Sequence, residues 1–549
     1  MLRYWPWLAA PASGALLAAS HPGWGAQEWL AWLALTPIIA AIWFGQAPRL
    51  APIASSSSVA TRKGVVQRII ERWFRLVRHR VGRAAVLGYL CGLVFFWAAF
   101  SWLTTVTGFG WFILAFYMAL YPAAWGAYLA LASRMAGDFT RSGPNLRMAT
   151  LGAASWVALE WVRGWLFSGF GWNNAGTALY QNLPFIQIAE YTGVGGLSFL
   201  LVFTNLIAVI TVRRFIQEIR AVRIRPHWDF SINMVLIASV FLFGVRAIFA
   251  PRDKAGEIPL RVASIQPNIP QDEKFDPRHE EKIFQRLEAL TEIALAWEPQ
   301  LLLWPEAATP RELYADATNF GFVYGIAGRH DVNLLLGTLD FDSERRLYNI
   351  AALINERGGR TQSYRKRHLV PFGEYIPFRE GFPLFAWIVG DLVPSDFAAG
   401  TEVAVMELDD PALKVGPLIC FEDTLGELTR ESVLAGAQCL VNLTNDGWFL
   451  ESAAARQHLA NAIFRAVENR RPLLRCTNTG VTAFIDPLGR ITREIEQPFT
   501  EGLLTDVVKV PGADAPLTWY TRHGERFSKG CAWFSLLLLP LLIRRRRSS

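Results

Sequence analysis

Long apolar runs nearly free of charge fill the first half of this chain. A run of about 20 apolar residues can cross a bilayer core as a helix, which satisfies its backbone polar groups internally. Seven candidate spans precede residue 251, at 4–21, 28–46, 84–104, 111–133, 148–168, 193–213 and 230–250, and an eighth lies at 527–543. The stretch from 252 to 526 has an ordinary soluble composition instead. The contrast predicts a seven-helix transmembrane domain over 1–250, a globular domain over 251–526, and a last transmembrane helix with a basic tail over 527–549. Pro6, Pro11 and Ser13 interrupt the first span, and Met1-Leu2-Arg3 with the run to Leu17-Ala18-Ala19-Ser20 also has the form of a signal peptide. A retained helix is preferred, because the topology closes with it.

The net charge of +7 invites a nucleic-acid reading, but the arginines cluster beside the hydrophobic runs. With the N-terminus inside, the loop at 47–83 is cytoplasmic and runs from Arg49 to Arg83 through a dense basic series. The next inside loops hold Arg134, Arg141 and Arg147, then Arg213, Arg214, Arg220, Arg223 and Arg225, and the tail ends in Arg544 to Arg547. The outside loops at 22–27, 105–110 and 169–192 contain no Lys or Arg. Short-loop bias of this kind orients membrane proteins and puts the globular domain outside the cytoplasm. No nucleic-acid partner is expected. Ala54 to Ser58 reads as a linker. Glu160 and Arg163 stand three apart, so a structural ion pair is expected of them. Trp172 lies on the Gly-rich outside loop Ser168–Asn174, where a plain interfacial anchor and a site role both remain open.

From Pro259 onward, short apolar strands alternate with amphipathic helices. Strands are expected at 260–265, 301–304, 333–337, 350–354, 415–419, 439–443 and 481–485, and helices at 277–297 and 453–469. The pattern predicts a layered α/β domain, in which catalytic groups gather beyond the carboxyl ends of strands. Two strands end on reactive residues, Leu301–Trp304 at Pro305-Glu306 and Val415–Ile419 at Cys420. A cysteine nucleophile acts as its thiolate, a minor form at neutral pH, and therefore needs a base. Glu306 and Glu422 are both candidates. Lys366 lies in the basic run Tyr364–His368 and could steady an oxyanion, with Glu374 orienting it or sharing a proton. Cys439 and Cys476, in similar apolar settings, read as core. The five cysteines show neither a disulfide framework nor zinc spacing, and no HExxH, GxGxxG or Walker loop is present.

These residues stand in a recognisable order. Leu303-Trp304-Pro305-Glu306, Tyr364-x-Lys366 with Leu369 to Glu374, Ile419-Cys420-Phe421-Glu422 and Asn445-Asp446-Gly447-Trp448-Phe449 resemble the Glu-Lys-Cys signature of the nitrilase superfamily. With the flanking spans, Gln266 to Pro270, and the segment from Gln457 through Arg465 and Glu468 to Arg471, the chain resembles the bacterial apolipoprotein N-acyltransferases along nearly its whole length. That resemblance implies a polytopic membrane domain plus an α-β-β-α nitrilase-like domain in the inner membrane, catalytic side outward. It implies transfer of an acyl chain from a phospholipid donor to the N-terminal amine of a diacylated apolipoprotein acceptor, with no metal or cofactor. Under it Glu306 is the general base, Lys366 stabilises the oxyanion, Cys420 is acylated, and Glu374 and Glu422 support them. It also places Trp172, Trp448, Phe275, Phe421 and Asn445 at the substrate. Phe421 stands where the family commonly has Tyr, Phe275 where it has Trp, and Gly447 where it has Ala.

The apolar stretch 375–398 is expected to form a mobile, membrane-dipping arm over the site. Two rivals remain. A tethered amidase acting on small soluble substrates makes little use of seven spans. A transporter with an inactive pendant domain predicts ionisable residues paired across several spans.

Overall fold

A computed structural model describes residues 4–46, 76, 79–221, 225–250, 256–355, 361–377, 379 and 396–544. Most of the basic loop at 47–83, the Ala54–Ser58 linker and most of the 375–398 arm lie outside the described residues. The chain divides into two compact units, Met1–Leu179 with Val194–Leu242 and Arg526–Ser549, and Tyr180–Gly193 with Phe243–Glu525.

Every expected span contains helix. Among the described residues five helices are long and apolar enough to cross a membrane: Arg80–Ala99, Gly108–Met135, Val194–Ala221, Trp228–Phe249 and Arg526–Ile543. The other three fall short for local reasons. Trp5–Ala19 has only 15 residues. The 28–46 stretch breaks into the tight turn Glu28–Trp32 and the nine-residue helix Thr36–Phe44, which starts at a proline. Ser142–Arg163 has the length, but Asn145, Arg147, Glu160 and Arg163 lower its hydropathy. Glu160 and Arg163 hydrogen-bond to separate partners. Glu160 Oε1 accepts from the Trp156 indole and the Ala175 amide, both at 2.7 Å. Arg163 donates to Asn174 Oδ1 at 2.5 Å and lies over the Phe96 ring. A different pair, Arg214 and Asp229 at 2.6 Å, is buried and joined by Asn145. Sequence spacing did not suggest it, because the partners sit on different helices.

In the second unit there are two six-stranded sheets. The strands that matter for the site are β1 (Ile258–Gln266), β2 (Leu301–Trp304), β3 (Asn333–Phe341), β4 (Leu347–Ile354), β5 (Thr361–Arg365), β7 (Leu413–Ile419), β8 (Cys439–Thr444) and β9 (Leu473–Thr477). With β6 (Met406–Leu408), β10 (Ala483–Ile485), β11 (Ile491–Glu494) and β12 (Gly502–Val510), they run in the orders β12-β1-β2-β3-β4-β5 and β11-β10-β9-β8-β7-β6. Side chains alternate across a strand, so each strand buries two faces. Val262, Leu301, Leu303 and Leu335 meet Val415, Val441, Leu443 and Leu474 of the other sheet in one core. Ala263, Leu302, Trp304 and Leu336 point the other way, under Ile283 and Leu287 of helix Glu280–Leu295 and Val323 and Ile326 of helix Ala317–His330. Helices Gly426–Leu434 and Ala454–Asn469 pack on the second sheet. The result is an α-β-β-α sandwich, and burial on both faces explains why the central strands read as unbroken apolar runs.

The β1–β2, β2–β3, β7–β8 and β8–β9 pairs are parallel. Strand β5 was not expected. Its sequence Thr361-Gln362-Ser363-Tyr364-Arg365 is polar, because it pairs with β4 on one side only and closes the sheet edge. The segment Tyr180–Gly193 is anchored within this unit: Arg470 pairs with Glu190 at 2.7 Å and donates to Gln187, which donates to the Leu488 carbonyl.

Candidate active site

Three strand ends carry the reactive groups. After β2 the chain turns through Pro305 and Glu306 to Ala307, whose φ is +44°. Strand β3 passes so close that a Cβ on Gly337 would stand 2.5 Å from the Cα of Glu306, so only glycine fits there. After β5 comes Lys366. After β7, Cys420 opens the tight turn Cys420–Thr424 with a φ of +52°, a left-handed conformation uncommon for any residue but glycine. A reversal this sharp lifts the cysteine out of the sheet while its neighbours stay buried.

Lys366 ties the cluster together. Its Nζ is 2.8 Å from Glu374 Oε1 and 3.5 Å from Glu306 Oε1. Asn349 of β4 donates to the same two oxygens, at 2.8 Å to Glu306 and 3.0 Å to Glu374. Glu374 is fixed further by the Val370 amide. Burial disfavours the Lys366 ammonium, but Glu374 and then Glu306 outweigh burial and raise its pKa above the ordinary lysine value. Lys366 is therefore a permanent cation at physiological pH. The Cys420 thiol is pushed up, first by burial and then by the charge of Glu306, with Lys366 pulling the other way. At rest the cysteine is a thiol, and it forms a thiolate only where a base takes its proton.

Glu306 and Glu422 were both open as that base, and their surroundings differ. Glu422 is fully buried and accepts four hydrogen bonds. Oε1 takes them from the Tyr364 hydroxyl at 2.8 Å, the Arg367 amide at 2.7 Å and the His368 amide at 3.1 Å, and Oε2 from the Ile419 amide at 2.8 Å. Burial raises its pKa against the pull of these donors and of Lys366. Its two oxygens join the turn after Lys366 to the residue before Cys420. Glu306 keeps one oxygen, Oε2, without a hydrogen-bond partner among the described residues.

Further groups stand behind the cysteine. The Cys420 carbonyl accepts from Asn442 Nδ2 at 3.0 Å and lies 3.3 Å from His458 Nε2. His458 pairs with Asp423 at 2.8 Å and Asp446 at 2.9 Å, and Arg475 closes the square at 2.6 and 3.0 Å from the same two aspartates. All four are buried. Sequence reasoning missed Asn349, Asp423, Arg475 and the buried Lys274. They lie on different elements with ordinary local sequence, and no spacing rule brings them together.

In the same unit Phe275, Phe372, Trp448 and Leu450 leave large apolar surface exposed. Phe421 is buried and stacks on the His368 ring at 5.8 Å. Asn445 caps the turn after β8 by accepting from the Gly447 amide, and its side chain also bonds Gln271 and Asn478. A Cβ on Gly447 would lie 3.0 Å from Asn445 Oδ1, so an alanine there needs a small shift of that cap. Trp172 belongs to the other unit, where it is buried, stacked on Phe170 and tilted against Trp102.

Comparison with known proteins gives matches on both halves of the chain. Residues 261–513 match the carbon-nitrogen hydrolase family, and residues 69–207 match the apolipoprotein N-acyltransferase N-terminal domain. The apolipoprotein N-acyltransferase of Geobacter metallireducens is 34% identical over 545 residues, covering 98% of this chain and 96% of its own. That of Methylococcus capsulatus is 34% identical over 417 residues, covering 74% of this chain and 78% of its own. Among solved structures, Saccharomyces cerevisiae Nit3, a member of branch 10 of the nitrilase superfamily, aligns with 47% of this chain and 93% of its own at 18% identity and a TM-score of 0.36. Identity at that level, sustained from the apolar helices through the sandwich, places the chain in the apolipoprotein N-acyltransferase family of the nitrilase superfamily.

Proposed function

We propose that this enzyme moves an acyl chain from a membrane phospholipid to the N-terminal amine of a diacylglyceryl-cysteine apolipoprotein, carrying it as a thioester on Cys420. The family supplies the reaction class, acyl transfer from a donor to an apolipoprotein. The observation that carries the mechanism is the cluster of Glu306, Lys366 and Glu374, whose first two members bear electrostatically on Cys420.

In the first half-reaction Glu306 takes the Cys420 proton, and the thiolate attacks the ester carbonyl carbon. The carbonyl oxygen becomes an oxyanion beside the Lys366 ammonium, a preorganised interaction worth roughly 3–4 kcal/mol in the transition state. Collapse breaks the carbon–oxygen bond, and the lysophospholipid leaves as its alcohol with the proton held by Glu306. In the second half the neutral α-amine attacks the thioester, Glu306 accepts a proton from the nitrogen, and the thiolate leaves and is reprotonated. Two half-reactions through one covalent carrier give ping-pong kinetics. Glu374 and Asn349 hold Lys366 and Glu306 in register, and Glu422 fixes the two turns that present Lys366 and Cys420. Phe275 and Trp448, exposed on the catalytic unit, serve the lipid portions of the substrates, whereas Phe421 and Trp172 are each buried within their own unit.

In this reading residues 1–250 form the membrane domain, 251–526 the catalytic domain and 527–549 the last span and tail. The loop distribution of Lys and Arg supports a catalytic domain outside the cytoplasm, in the inner membrane. Labelled phospholipid given to the purified protein should yield an acyl-protein that hydroxylamine cleaves, and a diacylated lipopeptide should discharge it. Cys420→Ser should form none. A wild-type protein that hydrolyses small amides and never acquires the label would favour a tethered amidase.

A further inference from the structure

Lys274 is a buried cation with no carboxylate of its own. It lies between β1 and helix Glu280–Leu295, is only 1% exposed, and donates through Nζ to the backbone carbonyl of Glu306 at 2.8 Å. Lys366, equally buried, has two carboxylates within 3.5 Å, whereas among the described residues no carboxylate oxygen lies within 4.0 Å of Lys274. Burying an ammonium without a counter-ion disfavours the folded state, and an apolar side chain of similar length does not incur that cost. A residue kept for packing alone has no need of the charge.

The position explains what the charge does. Lys274 touches the main chain of Glu306, and the charges of both Glu306 and Cys420 bear on it. In the reactive cluster, Glu306 and Glu374 oppose the single cation Lys366, so the resting site with a neutral thiol carries one surplus negative charge. Lys274 brings that sum to zero. Passing the thiol proton to Glu306 leaves the sum unchanged, so the cluster is neutral before and after the transfer. Glu422 stands apart from this count, because four donors of its own meet its charge. Without Lys274 the surplus negative charge disfavours a further anion, the Cys420 thiolate, inside the cluster.

We propose that Lys274 is a positioning residue for acyl transfer: it pins the Glu306 main chain and, by balancing the cluster, favours the Cys420 thiolate that forms when Glu306 takes its proton. This rests on Glu306 as base and Cys420 as nucleophile. Burial first of all lowers the Lys274 pKa to about 8, with Glu306 and Cys420 opposing that shift. The charge is therefore present at neutral pH and lost in mildly alkaline solution.

The test follows acyl-protein formation from labelled phospholipid between pH 5 and 10, using the full-length protein in detergent, alongside its midpoint of thermal inactivation. Lys274→Met should slow acylation about tenfold at neutral pH, converge with the wild type as pH rises through about 8, and leave the midpoint unchanged or higher. Lys274→Arg should keep the wild-type rate at neutral pH and lose the alkaline fall near pH 8. A Lys274→Met protein with the wild-type rate at neutral pH overturns the proposal, as does a uniform loss of rate at every pH together with a lower midpoint, which makes the residue structural. Glu306→Gln and Cys420→Ser, run beside it, separate the two levels. If either forms acyl-protein at the wild-type rate, the assignment of base and nucleophile fails. If both are dead and Lys274→Met titrates as wild type, only the role of Lys274 fails.

Discussion

Replacing Glu422 by Gln tests whether the two turns of the site are held together by one carboxylate. Glu422 accepts from the Tyr364 hydroxyl and the Arg367 and His368 amides on one oxygen, and from the Ile419 amide on the other. Glutamine fills the same volume but offers a single acceptor oxygen. Its better orientation keeps that oxygen toward the three donors, and its NH2 then faces the Ile419 N–H, donor against donor, where 2.8 Å separated a donor from an acceptor. An unsatisfied buried donor costs about 1–3 kcal/mol. The three remaining bonds lose charge assistance, which roughly halves each of them. The sum is about 3–7 kcal/mol, and a displacement near 1 Å between reacting groups lowers a rate by about 100-fold. The Glu422→Gln protein should thus show a lower thermal-inactivation midpoint in detergent and acylate about 100-fold more slowly, with little change in apparent donor affinity. Tyr364→Phe, which removes one donor of the four, is the milder control, at about 1.5–3 kcal/mol. If Glu422→Gln matched wild type within threefold in acylation and kept its midpoint, Glu422 would not be the strut described above, and the strand ends alone would have to hold Lys366 against Cys420.

Other expectations can be checked alongside. Asn349→Leu removes two donors from the Glu306 and Glu374 carboxylates, each worth about 1.5–3 kcal/mol; single-turnover acylation should slow at least tenfold, and an unchanged rate would remove Asn349 from the site. His458 makes stability depend on pH. Burial and Arg475 oppose its positive charge, but Asp423 and Asp446 outweigh them and raise its pKa above 6.5. A pKa raised on folding contributes stability that is complete below 6.5 and is lost as pH rises through the higher folded value. The inactivation midpoint should therefore fall on that alkaline side, and His458→Asn should be less stable by about 3–5 kcal/mol and lack the pH-dependent fall; a wild-type slope in the variant would refute this.

The chain itself announced two kinds of solvent. Charge-free runs required lipid, because water leaves no reason for such stretches, and alternating short strands and helices from Pro259 required a layered α/β core. Glu306 and Cys420 were visible as polar residues at the ends of apolar strands, since a buried run can place a reactive group only where it stops. Local sequence did not decide which helices reach full span length, because Pro37 and the polar side chains of Ser142–Arg163 act through turn geometry and hydropathy together. Nor did it show β5, a polar edge strand whose partner lies in β4. The supporting cast came only from tertiary structure. Asn349 reaches Glu306 from 43 residues away, Glu422 reaches Tyr364 from 58, and Lys274 reaches the Glu306 carbonyl from 32. Hydrophobic periodicity is a local property that the sequence states outright. The pairing of buried charges is a property of where distant strand ends meet, and the low-dielectric interior that makes those pairings matter exists only once the two sheets have closed on each other.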